Sequence, residues 1–176
     1  ENPHNSSLPY FETQPLTAEQ LDSQPVLFRK EVELACGPST LFDIFEDPGT
    51  WSVWALGIGE VRWTSPFPLQ PGATRTVVFW GGMEVYETFF AWERGRHMAF
   101  TFTGITQPVW HRFGERYEVD DLGSGRCKLS WTVAYTPRGV AAFLNPFTRP
   151  LASLLFSLFM HRLKGVVSRW EGARIR

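Results

Sequence analysis

Residues 150–170 have the pattern of one long helix whose first half is apolar around most of its circumference. At about 3.6 residues per turn, apolar residues spaced three and four apart form one stripe along it: Ala152, Leu155, Phe159, Leu163, Val166 and Trp170. The most apolar part, residues 151–160, is shorter than the about 20 residues that cross a bilayer. We therefore expect a protein groove or a bound apolar ligand to cover this helix, and a curved sheet would supply the groove.

The middle of the chain shows the period of two that is typical of half-buried strands, interrupted by glycine-containing turns. The predicted strands are residues 26–35, 61–64, 75–80, 83–93, 96–103, 109–120 and 127–136. Short turns between consecutive strands indicate antiparallel pairing. These turns are Gly81-Gly82, Arg94-Gly95 and residues 123–125.

Helical segments are predicted between the first two strands. Gly37-Pro38 opens a helix, because proline suits the first helical turn, and Asp47-Pro48 ends it. Residues 51–55 add a further helical turn. Residues 138–150 are predicted to be an irregular lead into the long helix.

The first 25 residues are rich in proline, serine and amides and predict an arm that precedes a single domain over residues 26–176. A short helix is expected after Thr17, where Gln20 completes a capping box. We expect the apolar residues of the arm to cover the part of the long helix that the sheet leaves bare. They are Leu8, Tyr10, Phe11, Leu16 and Leu21.

Aromatic content bears on the interior of this domain. The chain has 8 Trp and 15 Phe among 176 residues. Large rings fill a core or line a cavity, and the composition is compatible with both.

The charges are unevenly placed. The net charge is −1, yet the segment from Arg138 onward carries seven Lys or Arg against Glu171 alone. Such a basic segment fits contact with anionic lipid or phosphate, or it stabilises the C-terminal end of a helix through the helix dipole.

The sequence patterns that mark several classes of protein do not occur in this chain. Cys36 and Cys127 have no metal-ligand spacing, which suggests reduced thiols in a cytoplasmic protein. No phosphate-binding loop, Ser-His-Asp pattern or zinc pattern occurs, so we expect no cofactor and no metal. Nucleic-acid binding is not expected, because no basic strand face carries exposed aromatics. No secretory or membrane-spanning stretch is present, and the start at Glu1 leaves room for a removed upstream segment.

Five motifs occur in a fixed order along the domain. They are Asp47-Pro48, the pair Trp51 and Trp54, the run 71–75 (PGATR), Glu87, and the run 113–117 (FGERY). In this order the chain resembles the START and Bet v 1-like superfamily with the helix-grip fold, and within it the polyketide cyclase/dehydrase and lipid-transport group. The resemblance implies an α+β fold: a curved seven-stranded antiparallel sheet around a long C-terminal helix, with two short helices between strands 1 and 2.

In that superfamily a cavity between sheet and helix takes sterols, phospholipids, polyketides, quinones or plant hormones. Some members are enzymes and many only carry or sense a ligand. Because the members share no catalytic constellation, the resemblance assigns no catalytic residue to this chain.

Strand alternation predicts which side chains face the cavity. In residues 109–120 the face with His111, Phe113 and Glu115 is the apolar one, so we expect it to be the inner face. If Arg94-Gly95 is a two-residue loop, Ala91 lies opposite Met98, Phe89 opposite Phe100 and Glu87 opposite Phe102, which turns Glu87 inward. The same logic at Gly81-Gly82 turns Trp80, Val78 and Thr76 inward. An odd-length turn would instead place Tyr86, Phe90 and Trp92 inside.

The predicted ligand-contacting residues combine these inner faces with the stripe of the long helix. They are Trp80, Val85, Glu87, Phe89, Phe100, Phe102, His111, Phe113, Glu115, Tyr117, Trp131, Tyr135, Leu155, Phe159 and Leu163.

Glu87 and Glu115 are predicted two strands apart, roughly 10 Å from each other. A buried carboxylate must be paired or have a raised pKa. One interpretation is that each is tied to an arginine or a backbone group near the cavity mouth, or lies where the sheet opens to water. The other is that these carboxyls and His111 orient a ligand or act as general acid or base, so the catalytic candidates are Glu87, Glu115 and His111.

The same register leaves Phe79, Tyr86, Phe90 and Trp92 on the convex face of the sheet. Such a patch suggests a homodimer contact or cover by the arm. The alternative is that the assumed turn length is mistaken and these residues face inward.

The leading hypothesis is binding or transport of a hydrophobic small molecule, such as a lipid, polyketide or quinone-like compound. The first alternative is an enzyme of the polyketide cyclase, aromatase or dehydratase type, and the second is a protein-interaction co-regulator. Residues 151–160 are also expected to meet the arm, a partner or, transiently, a membrane at the cavity mouth.

Overall fold

The computed structural model describes residues 8–174. The elements in chain order are β1 (Phe11–Glu12), α1 (Ala18–Leu21), β2 (Val26–Leu34), α2 (Pro38–Glu46), α3 (Pro48–Trp54), β3 (Ile58–Trp63), β4 (Thr74–Phe79), β5 (Glu84–Glu93), β6 (His97–Ile105), β7 (Trp110–Gly123), β8 (Arg126–Pro137) and α4 (Val140–Arg174). Seven strands form a curved antiparallel sheet in the order β2-β8-β7-β6-β5-β4-β3. The predicted α+β helix-grip architecture is confirmed.

Helix α4 begins ten residues earlier than the sequence pattern predicted, at Val140, so the irregular lead over residues 138–150 was wrong. Pro146 and Pro150 lie inside the helix. Each removes one backbone hydrogen bond, which is tolerated here because this part of the helix is exposed and water can solvate the freed carbonyl group. One face of the second half of α4, with Phe159, Leu163 and Val166, is buried and packs on β2, β8 and α3, while His161 and Lys164 on the other face are exposed.

Helices α2 and α3 meet at Asp47. This residue ends α2 and caps α3, where its carboxylate accepts a hydrogen bond from the Gly49 backbone N–H (2.8 Å). Both helices turn aromatic side chains inward, and the Trp51 indole donates to the Phe45 carbonyl oxygen (2.9 Å). The cap therefore fixes the direction in which α3 presents its tryptophans to the interior.

The β5–β6 connection corrects the predicted register. Glu93 pairs with His97, so the loop has three residues rather than two, and Ala91 lies opposite Ala99. An irregularity between Phe89 and Ala91 then shifts the register by one residue, and Phe89 faces Phe100 as predicted. Trp92 points inward, as the alternative with an odd-length turn predicted.

The β4–β5 connection is also a three-residue loop. The Phe79 backbone N–H donates to the Met83 carbonyl oxygen (2.8 Å), and Trp80 lies in the loop with 68% of its surface exposed. The predicted inward orientation of Trp80, Val78 and Thr76 was wrong. Because the loop has an odd length, their neighbours Arg75, Val77 and Phe79 face inward instead.

The N-terminal arm packs on the convex face of the sheet. The prediction that it covers α4 was therefore wrong. Strand β6 parts from β7 after Thr101, and β1 occupies the vacated side by pairing with Gly104 and Ile105. The Thr13 hydroxyl donates to the Phe102 carbonyl oxygen (2.7 Å), and the Leu16 N–H donates to the Thr101 hydroxyl (2.9 Å). The first seven residues of the predicted arm lie outside the described residues.

The arm accounts for part of the apolar convex patch. The Tyr10 ring lies 5.7 Å from the Tyr86 ring, which is buried. Phe79 and Trp92 belong to the interior, because of the two odd-length loops. Cover by the arm is therefore observed at Tyr86, and the alternative of a mistaken turn length is confirmed at Phe79 and Trp92.

We predict that Gly104→Ala loosens the arm. A Cβ atom at Gly104 would lie 2.2 Å from the Tyr10 ring, so the ring must move. Overpacking of this kind costs about 1–3 kcal/mol in the free energy of unfolding, measurable by urea denaturation.

Two controls accompany this substitution. Gly172→Ala, where nothing lies within 4 Å of the added carbon, should cost nothing. In a Tyr10→Ala background, Gly104→Ala should lose its penalty. An equal penalty with and without the Tyr10 ring would show that the ring contact is not the cause.

Candidate functional site

A cavity of about 250 Å³ lies between the concave face of the sheet, helix α3 and the middle of α4. Its wall is mostly aromatic. The predicted residues that line it are Glu87, Phe100, Phe102, Phe113, Glu115, Tyr117, Trp131, Tyr135, Leu155 and Phe159. Their contact with a ligand stays a prediction.

The other predicted residues lie elsewhere. Val85, Phe89 and Leu163 are buried in the core without reaching the cavity, and Trp80 is in the exposed β4–β5 loop. His111 is exposed on the outer side of β7, near the arm, so it does not serve as a cavity acid or base. The cause is an irregularity between Trp110 and Arg112 that shifts the strand by one residue and turns Trp110 inward.

Sequence reasoning missed several residues of the wall. They are Trp51, Trp54, Ala55, Leu56, Ile58, Arg75, Val77, Phe79, Trp110, Ala152 and Phe156. Three of them carried a signal. Ala152 belongs to the predicted stripe of the long helix, and Trp51 and Trp54 are spaced three apart and therefore share a helix face.

The most deeply buried charges of the cavity wall are Arg75 and Glu87. They are directly opposite each other on β4 and β5, and the Arg75 Nε–H donates to Glu87 Oε2. Their side chains are 1% and 4% exposed. Burial raises the pKa of Glu87, while the charge and hydrogen bond of Arg75 oppose this shift. The interpretation that a buried carboxylate is tied to an arginine therefore applies to Glu87.

Aromatic rings enclose the Arg75 guanidinium. Its central carbon lies 4.0 Å from the Trp51 ring centre, 4.9 Å from that of Phe100 and 5.1 Å from that of Phe89. These cation–π contacts replace part of the hydration that the cation loses on burial. They also hold Arg75 in one orientation at the cavity wall.

Glu115 has a different environment, without an arginine as its hydrogen-bond partner. Its Oε2 atom accepts hydrogen bonds from the Tyr117 hydroxyl (2.5 Å) and the Trp131 indole N–H (2.9 Å). Burial raises the pKa of Glu115 to about 7, against the opposing effect of the Tyr117 hydrogen bond and with a further increase from the negative charge of Glu87. Both donors bind Oε2, which leaves Oε1 for a proton or a ligand.

Tyr117 remains a donor under all ordinary conditions. Burial, and then the charge of Glu115, raise the pKa of its hydroxyl well above the ordinary value. Glu115 is thus a cavity group whose pKa of about 7 suits a general acid or base near neutral pH.

Two buried donor atoms of cavity-lining side chains have no hydrogen-bond partner among the described residues. They are the indole Nε1 of Trp54 and the Nη1 of Arg75, and both are buried. A buried donor without a partner is costly, so such atoms mark places where water or a ligand supplies an acceptor.

The chain matches one family model and is similar to proteins of two mycobacteria. Residues 25–168 match a family model described as polyketide cyclase/dehydrase and lipid transport. An uncharacterised protein of Mycobacterium tuberculosis is 38% identical over 143 residues, which cover 81% of this chain and 85% of the relative. An uncharacterised protein of Mycobacterium bovis matches with the same values.

Two solved structures share the fold. A START superfamily protein from Mycobacterium smegmatis superposes with a TM-score of 0.67 at 14% identity, over 81% of this chain and 97% of the other. The Zhui aromatase/cyclase from a Streptomyces species superposes with a TM-score of 0.69 at 11% identity, over 86% and 96% of the two chains. At these identities the likeness concerns the fold alone.

The raised pKa of Glu115 predicts a pH dependence of stability. Between the ordinary value of 4.5 and about 7, the folded protein holds a proton that the unfolded chain has released. The free energy of unfolding should therefore fall as pH rises through this window, by up to about 3 kcal/mol, and level off above it. Urea denaturation at a series of pH values measures the slope.

Glu115→Gln should reduce this slope, leaving only the contribution of Glu87, whose pKa shift has the same sign. Glu118→Gln, on the exposed face of the same strand, should retain it. An unchanged slope in Glu115→Gln would contradict the assignment.

Proposed function

Because this chain belongs to the polyketide cyclase/dehydrase and lipid transport family, we propose that it binds and carries a hydrophobic small molecule in the cavity between sheet and α4. The observation that carries the proposal is the aromatic cavity itself, with few polar groups set into its wall. Apolar walls with a small number of placed polar groups are typical of ligand sites. Affinity then comes from apolar burial, at about 25 cal/mol per Å² removed from water.

The size of the cavity narrows the class of ligand. At about 250 Å³ it lies just below the usual range of ligand pockets, about 300–1,000 Å³. We propose a compact ligand, such as a quinone-like or polyketide-like ring compound, or the end of a lipid whose remainder leaves through the mouth.

The enzyme alternative rests on one observation. Glu115 lies in the cavity wall with a pKa raised to about 7, and its hydrogen bonds hold it in place. A cyclase or dehydratase would use such a group to move a proton of a bound polyketide-like chain.

Filling the cavity from α4 tests the binding proposal. Ala152 lines the cavity, so Ala152→Phe should lower the affinity for 2-ethylnaphthalene, a compact apolar probe, about tenfold or more. Saturation-transfer NMR measures binding, and native mass spectrometry of protein from its natural host detects a co-purifying ligand.

Ala142→Phe is the matched control, because Ala142 lies on the same helix and is exposed to solvent. It should bind the probe like the parent protein. No binding by the parent protein and no co-purifying ligand, or equal binding by both variants, would overturn the proposal.

We also propose that the first half of α4 contacts an anionic membrane surface. Large apolar side chains recur there at spacings of three and four, so they form one exposed stripe. The five most exposed, between 68% and 77%, are Val140, Phe143, Phe147, Leu151 and Leu154. A stripe of this kind lies in the interface plane of a bilayer.

Charge complementarity favours anionic lipid as the partner. No Asp or Glu occurs between residues 122 and 170, while Arg138 precedes the stripe and Arg162 follows it. By length and composition α4 could cross a membrane, but one face of its second half is part of the core of the domain. Ala152 and Leu155, beside the stripe, line the cavity, so a ligand would pass between bilayer and cavity at this helix.

Vesicle flotation tests this contact. The protein should float with vesicles of phosphatidylglycerol and phosphatidylcholine, and less with phosphatidylcholine alone. Replacing Phe143, Phe147 and Leu151 together by serine should reduce the bound fraction about tenfold or more, because the apolar contact is lost. Leu122→Ser, an exposed apolar residue at the β7–β8 turn, should change nothing.

Light scattering tests whether a second copy of the chain, and not a membrane, covers the stripe. A parent dimer that becomes monomeric in the triple variant, without vesicle binding, would show that the stripe is a homodimer interface and not a membrane contact.

A further inference from the structure

The two donors without partners, Trp54 Nε1 and Arg75 Nη1, lie in the wall of one cavity. Both are fixed in place. The Trp54 ring packs edge-on against Trp131 and Phe159, at 6.4 Å in each case. The Arg75 guanidinium is held by Glu87 through Nε and stacked over Trp51. Neither donor can turn to another partner without breaking these contacts.

Trp51 connects the two donors. Its ring contacts the Arg75 guanidinium at 4.0 Å and the Trp54 ring at 4.9 Å. The two side chains are therefore neighbours through Trp51, and we call this part of the otherwise aromatic wall the polar end of the cavity. An oxygen acceptor placed at this end would satisfy donors that the folded chain leaves unpaired.

The charges around this end decide which acceptor fits. Glu87 already neutralises Arg75, and Glu115 lies in the same cavity wall. A carboxylate ligand would add a further negative charge beside these two carboxyls in a water-poor site, which is unfavourable. A neutral carbonyl oxygen accepts the same hydrogen bonds without that cost.

We infer that Trp54 and Arg75 form a subsite for a neutral carbonyl oxygen, so that the ligand is a compact apolar ketone, ester or quinone that enters oxygen end first. The inference rests on the proposed function, because it names the chemical class that the same cavity takes. Trp54 and Arg75 are specificity-determining residues in this arrangement, and the aromatic wall supplies the affinity.

A matched pair of probes tests the subsite. 2-Acetylnaphthalene and 2-isopropylnaphthalene have nearly the same shape. The first has a carbonyl oxygen at the position where the second has a methyl group. In the parent protein the ketone should shift the indole N–H resonance of Trp54 downfield in a ¹H–¹⁵N spectrum, and the hydrocarbon should not. The resonance is assigned by its loss in Trp54→Phe.

The affinity ratio of the two probes gives the second readout. Because Trp54→Phe removes the donor and keeps an aromatic ring, the ratio of ketone to hydrocarbon affinity should fall about fivefold or more. Trp80→Phe, in the exposed β4–β5 loop, should leave the ratio unchanged. The anionic analogue 2-naphthoate should bind more weakly than the ketone at pH 8.

The outcomes separate the subsite from the proposed function. If neither neutral probe binds, the proposed function fails. If both bind, but the Trp54 resonance does not move and the ratio is the same in Trp54→Phe, the donors hold only water and the subsite is wrong. Tighter binding of 2-naphthoate than of the ketone would overturn the choice of a neutral acceptor.

Discussion

The burial of one ion pair organises the interior of this protein. Arg75 and Glu87 lie opposite each other on β4 and β5 and are almost fully removed from water. Breaking such a pair by removing one partner is strongly destabilising, because it leaves a lone charge in a water-poor site. The guanidinium also supports Trp51, and through it the α3 side of the cavity. The position of β4 relative to β5, the orientation of α3 and the polarity of the cavity end thus depend on the same contact.

The sequence predicted the elements well and their faces less well. Alternating hydrophobicity located all seven strands of the main sheet, because one face of each strand is buried. Which face is buried depends on loop length and strand irregularities, and these are set by packing in three dimensions. Two loops have three residues instead of two, so the predicted register places Phe79 and Trp92 on the convex face, although both lie in the interior. At Glu87 the extra loop residue and the irregularity near Phe90 offset each other, so its inward assignment was right.

Of the candidate site, the carboxyls on inner strand faces could be predicted, and their partners could not. Glu115 was identified from the alternation in β7, whereas His111 in the same strand was misplaced by the irregularity at Trp110. The α3 tryptophans had the spacing of a shared helix face, but nothing in the sequence indicates which element that face meets. The sequence predicts an irregular segment over residues 138–150, because prolines inside an exposed helix are not favoured by local propensity, yet Pro146 and Pro150 lie inside α4.

The short strand β1 has a consequence for solubility. Where β6 leaves β7, the backbone groups from Phe102 to Ile105 would form an open edge on that side. Unpaired edges recruit strands of other molecules and lead to aggregation. The arm closes this edge with its own strand and with the Thr13 hydrogen bonds to the carbonyl oxygens of Phe102 and Thr103. The arm therefore protects this edge of the sheet, and a proteolytic cut behind it would leave a molecule prone to self-association.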